Sequence, residues 1–181
     1  MTATTVSSGV ITNALTNTTA VTYNALGSRG DARAKVVTGT MEVATTSIDE
    51  TGDIVLLFPC KGTDRLTSLV LFNDDLDVHA TPTLAVDVGI YKDVNVAGTS
   101  ATVVDADALG SAITTLQAAN TTGVEVRFEA ADINGINKAV WELGGESAAT
   151  AATRYIGLTV TTGGATATAG TLSWRATLVS A

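Results

Sequence analysis

A nucleophile works only beside a general base, and this chain of 181 residues has one histidine, His79, and one cysteine, Cys60. His79 stands in Asp77-Val78-His79-Ala80-Thr81, just before Pro82, a loop context in which an imidazole is solvated or bonded locally. Cys60 follows Pro59 at the end of an apolar run and reads as a buried or turn thiol. It cannot form an internal disulfide, and one Cys with one His excludes the usual zinc patterns. Gly110-Ser111 falls in a helical pattern and not in a Gly-x-Ser-x-Gly elbow. The 18 carboxylates offer many pairs for glycoside cleavage. Such clefts stack sugar on aromatic rings, however, and the chain has two Trp, three Tyr and three Phe, with Trp141 and Trp174 on faces that look like core. Asn73, Asp74, Asp75 and Asp77 could supply oxygens to calcium, but the sixth-position Gly and distal Glu of an EF-hand loop are missing. A solvated turn is the plainer reading. Gly27-Ser28-Arg29-Gly30 and Gly144-Gly145 lack the strand-then-helix setting of a phosphate cradle, and Arg29-Gly30-Asp31 is too short a tripeptide to mean more than a turn. No catalytic residue, cofactor or metal is expected.

One cluster invites a binding role. Arg29, Arg33 and Lys35 are three of ten basic residues, placed within seven positions of a chain that is acidic elsewhere. They serve either as a solvated turn and strand edge or as an electrostatic contact with an acidic patch on a partner subunit. The second reading predicts that Arg33→Glu with Lys35→Glu weakens partner binding and leaves the protein's own stability unchanged.

Composition narrows the partners. A formal net charge of −8 and a pI near 4.4 oppose nucleic-acid binding, which needs clustered Lys and Arg, and oppose docking on anionic lipid. No stretch approaches the roughly 20 apolar residues of a membrane helix, and Met1 to Gly9 has no basic leader followed by an apolar run, so synthesis in a cytoplasm is expected. Hydrophobic residues make up 45% and mean hydropathy is +0.31, enough for a self-sufficient core.

The elements that would position any site are mainly strands. Residues 1–31 read as an extended N-terminal arm: up to residue 30 they are rich in Thr, Asn, Ser and Ala, with Arg29 the sole charge. Scattered apolar residues without solubilising charge suit an arm that adds strand hydrogen bonds on a neighbour better than the alternative, a disordered tail. Residues 32–181 read as one β domain. Lys35–Ser47, Asp53–Phe58, Arg65–Phe72 and Thr83–Tyr91 carry strand signals, and Leu84, Val86, Val88 and Ile90 share one face. Val124, Val126 and Phe128 alternate with Glu125, Arg127 and Glu129; Ile156, Leu158 and Val160 and then Leu172, Trp174, Ala176 and Leu178 also face inward. Gly163 to Gly170 reads as a long hairpin connection. Two short helices are expected, one over Asp107–Ala118 and one from Asp132 to Leu143, stopping at Gly144-Gly145. Seven to nine strands with two short helices, and no helix between most strands, give an antiparallel β-sandwich, with jelly-roll topology the leading arrangement.

The run Pro82-Thr83-Leu84-Ala85-Val86-Asp87-Val88-Gly89-Ile90-Tyr91, the later Ala131-Asp132-Ile133-Asn134-Gly135-Ile136-Asn137-Lys138-Ala139-Val140-Trp141-Glu142-Leu143 and a closing Thr/Ala/Gly segment with a Leu-Ser-Trp strand follow one another in an order that resembles small virion proteins of tailed phages. The resemblance spans residues 33–181 and lies in style and order. It implies a head decoration (cement) protein: a β-sandwich homotrimer on the capsid surface, in contact with the major capsid protein, and without catalytic residues. A tail tube, head fibre or receptor-binding knob is the alternative virion role, and a carbohydrate-binding module the alternative outside phage.

Overall fold

In the computed structural model, residues 5–7, 34–132 and 134–180 are described. Among the described residues nine strands run in chain order: β1 (Thr5–Ser7), β2 (Ala34–Val43), β3 (Ile54–Lys61), β4 (Arg65–Asn73), β5 (Ala85–Lys92), β6 (Thr102–Ile113), β7 (Asn120–Glu125), β8 (Thr153–Thr162) and β9 (Gly170–Val179), with one α-helical turn, α1 (Val140–Leu143), before β8. They form two sheets, ordered β1-β3-β8-β5-β6 and β2-β9-β4-β7. Every pairing is antiparallel except β1 on β3. From β2 to β9 the chain passes from one sheet to the other at every connection except β5–β6, which is the strand order of a jelly roll.

Period-two patterning explains the layers. Leu84, Val86, Val88 and Ile90 are buried between the sheets with Ile156, Leu158 and Val160 opposite, and Leu172, Trp174, Ala176 and Leu178 line the facing layer. β3 is buried on both faces, as its unbroken apolar run requires. Val55, Leu57, Phe58 and Cys60 join the main core, while Ile54 and Leu56 pack outward with Tyr91 and Tyr155 into a second cluster. Pro59 lies on this edge strand beyond the three residues that β1 covers, where a missing N–H costs no ladder bond to β1.

Four expectations are corrected. The stretch 107–118 is strand followed by a tight turn at Thr115–Gln117, not helix. Of the four residues at helical spacing Ala112 is exposed, while Leu109, Ile113 and Leu116 are buried. They achieve it through three register shifts between β5 and β6 and a left-handed Ala112 (φ 51°), which move successive side chains off strict alternation. Between Asp132 and Leu143 only Val140–Leu143 is helical. Asp132 does cap a turn, its carboxylate accepting from the backbone N–H of Asn134 and Gly135, but Asn134, Gly135 and Asn137 are poor helix formers and the turn does not propagate. The expected stop holds, with Gly144 ending α1 and Gly145 at φ 67°. Val124, Val126 and Phe128 do not share a face: β7 ends at Glu125, and Val126 is buried while Val124 and Phe128 are 40% and 54% exposed. Finally, residues 163–170 cross between sheets and do not close a hairpin.

Candidate functional site

Lys35 opens the site called from sequence, and it is engaged inside its own chain. Its ammonium lies 2.6 Å from the Asp64 carboxylate, with the two side chains 28% and 1% exposed. The same Asp64 oxygen accepts the Lys61 backbone N–H at 3.1 Å. Lys35 thus neutralises a carboxylate buried at the β3–β4 turn, where α1 also docks through Val140 N–H to Asp64 carbonyl and Trp141 N–H to Gly62 carbonyl. Arg29 and Arg33 lie outside the described residues. Beside this turn Arg154 holds Glu146 through its Nε at 2.9 Å and its Nη2 at 2.5 Å. That pairing raises the guanidinium's pKa and lowers the carboxyl's. Cys60 is buried here, and burial, followed by the nearby Asp64 charge, pushes its thiol up to about 12. A thiol that stays protonated is no nucleophile.

The Asn73–Asp77 turn is a structural clamp. Asp77 is buried, and its carboxylate accepts four backbone N–H groups: Thr83 at 2.7 Å, Leu84 at 3.0 Å and Ala165 at 3.1 Å on Oδ2, and Thr166 at 2.8 Å on Oδ1. Burial alone would raise its pKa, but the four donors outweigh that and hold it at about 2. One side chain so joins the exit of β4, the entry of β5 and the β8–β9 crossover. Asp74 accepts Thr171 N–H at 2.9 Å, and Asn73 donates to the carbonyls of Asp74, Thr115 and Ala118. A calcium ion would have to displace these amides. Among the described residues no group of His, Cys, Asp and Glu is arranged to hold a metal.

Three further features have the residue types of a site. His79 lies on an exposed turn, its Nδ1 accepting Thr81 N–H at 3.1 Å, which fits the local bonding expected of it. A cavity of about 300 Å³ is lined by Asp105, Asp107, Glu129, Asp132, Glu142 and Lys138 among others. Burial and the adjoining Asp107 carboxyl raise the Asp105 pKa. The other acids have local structural partners: Glu142 accepts Ala139 N–H at 2.7 Å, Asp132 caps its turn, and Glu129 accepts from the Ser111 hydroxyl. Among the described residues no histidine, cysteine or aromatic ring lines the cavity, whose charged groups are carboxylates and one lysine. Arg127 is the residue that sequence reasoning missed. Expected to alternate outward, it is buried, donates to Gly135 carbonyl at 3.2 Å, and has its pKa lowered by burial, with Glu125 offsetting part of the effect. Nothing in the Val-Glu-Val-Arg-Phe pattern signals this, because the strand ends two residues earlier.

The geometry therefore concentrates its polar chemistry in turns and leaves the sheets as surfaces. No family model and no curated protein sequence matches the chain. Two solved structures do: a chain in "Capsid of Ralstonia phage GP4" superposes with a TM-score of 0.63 at 20% identity, covering 97% of this chain and 97% of that one. The fold is that of a phage-capsid chain. A chain in "Cyanophage Pam1 capsid asymmetric unit" gives a TM-score of 0.55 at 22% identity, covering 91% of this chain and 99% of its own length. At these identities the shared property is the fold, end to end in both directions.

Proposed function

We propose that this chain is a structural protein of a phage head and, within that role, a decoration (cement) protein bound to the outer capsid surface. The observation that carries the proposal is the two-way, near-complete coverage shared with a chain of a phage capsid. A fold matched over nearly all of both chains supports a like task better than a shared sub-motif would. The polar residues are in keeping with it, since the contacts of Asp77, Asp64 and Arg154 hold turns and segment junctions together. The protein transforms nothing. It is made in the host cytoplasm, associates as a homotrimer and stabilises the shell through contacts with the major capsid protein, each small and repeated by symmetry.

The test is to locate the protein in purified particles by cryo-microscopy and to count its copies. Density on the outer shell at a copy number set by the capsid lattice supports decoration. Density confined to the tail or a fibre, at low copy number, gives the chain a different virion role. Absence from particles together with turnover of a small molecule overturns the proposal.

A further inference from the structure

The two sheets have four edges, and three are protected. The β3 edge is covered by β1 over Ile54–Leu56 and carries Pro59 beyond. The β6 edge is broken by three register shifts against β5 and bears Asp105 and Asp107. The β7 edge is six residues long, shifted against β4, and bent at Gly123 (φ 85°). Short strands, bulges, proline and charge are the usual means of preventing an edge from pairing with another chain.

β2 has none of them over its central residues, 36–41. Its ten residues pair with β9 in ten consecutive registers without a shift, it contains no proline, and no charge lies between Lys35 and Glu42. Val36 is 59% exposed on the outer face. On the inner face Val37 and Met41 touch the main core yet remain only partly buried, because no described strand closes that side of the sheet.

We propose that β2 is a self-pairing edge: two copies join β2 to β2, antiparallel about a two-fold axis at Gly39, so that the β2-β9-β4-β7 sheet runs on into its counterpart. A two-fold normal to the sheet keeps each face continuous, so residues of like parity must oppose one another. With Gly39 on the axis, Val37 lies opposite the partner's Met41, and Thr38 opposite the partner's Thr40. The half-exposed core residues of each copy then cover those of the other, and no like charges face across the seam. The local charge also admits a second copy: Lys35 is neutralised by Asp64, and the one acid of β2, Glu42, is balanced by Arg175, which β9 places beside Thr38. Two chains of net charge −8 approach most easily there. This dyad contact is separate from the threefold association proposed above and does not depend on it.

The test uses the full chain carrying Cys60→Ser, in two variants of distinguishable mass, Thr38→Cys and Thr40→Cys, mixed in equal amounts in a thiol–disulfide buffer. The expected result is a mixed disulfide dimer in excess over both homodimers, since positions 38 and 40 oppose each other and like positions lie on a diagonal. Without added cysteines, Thr38→Lys weakens association, measured by light scattering, by roughly tenfold or more, and leaves the melting curve unchanged at concentrations too low for association, because the site is exposed. Absence of the mixed disulfide, or a trimer whose mass and affinity ignore Thr38→Lys, overturns the self-pairing edge while leaving the decoration role standing.

Discussion

Removing the Asp77 carboxylate tests the clamp that ties three segments together. Asp77→Ala leaves four backbone N–H groups without their acceptor. Thr83, Ala165 and Thr166 are near the surface and can turn to water, whereas Leu84 is buried and its N–H cannot. A hydrogen bond to a charged group contributes roughly 1.5–3 kcal/mol, and an orphaned buried donor costs about 1–3 kcal/mol. Allowing water to restore most of three bonds, the substitution costs about 3 kcal/mol. For a chain of this length that is a fall in melting temperature of roughly 6–12 °C. Asp77→Asn performs little better, because its NH₂ group must face donors. Asp75→Asn is the control, since its carboxylate accepts only the Asp77 N–H among the clamp's donors. The pH dependence has a definite sign. The folded pKa of Asp77, about 2, lies below its ordinary value of 3.8, so the stabilisation is complete above the ordinary value and is lost as pH falls from there through about 2. Calorimetric melting of the wild type and Asp77→Ala should therefore differ most near neutrality and converge in acid. If Asp77→Ala melts with the wild type at neutral pH, the four hydrogen bonds do not stabilise the fold and the clamp is refuted.

Four shorter predictions follow from the same geometry. Lys35→Ala leaves the buried Asp64 carboxylate uncompensated and costs about 2 kcal/mol after discounting for the partly exposed ammonium, measured by urea denaturation; the sequence alone predicted no loss of stability at this position. A methyl group at Gly39 would stand 2.1 Å from Trp174 Cζ2, so Gly39→Val destabilises by about 1–3 kcal/mol through overpacking and shifts the Trp174 emission. Cys60, buried with its thiol pushed to about 12, resists a thiol-reactive dye at mildly alkaline pH and reacts at once in denaturant. A calcium chelator leaves the melting temperature unchanged, since backbone amides already occupy the Asp77 oxygens.

The sandwich was legible wherever alternation was strict and its cause local. Thr83–Tyr91 and the last two strands bury the side chains that the period assigns, and the apolar run in Asp53–Phe58 correctly signalled a strand covered on both faces. Legibility failed where tertiary pairing overrode the period. Leu109, Ile113 and Leu116 have helical spacing because β6 bulges against β5, and no residue in the window encodes the partner that imposes the shifts. The candidate site was less legible still. Lys35 looked free because its partner, Asp64, is 29 residues away, and Asp77 looked like a solvated turn because two of its four donors lie 88 and 89 residues further on.

The place of β9 bears on when this protein can act. β9, at residues 170–179, lies between β2 and β4, so the sheet that opens at residue 34 has a gap in its middle until translation has passed residue 179. A nascent chain holds β2 without its neighbour through nearly all of its synthesis, and the layer facing Trp174 cannot close. Only a polypeptide carried through β9 can complete the β2-β9-β4-β7 sheet and bury the layer around Trp174.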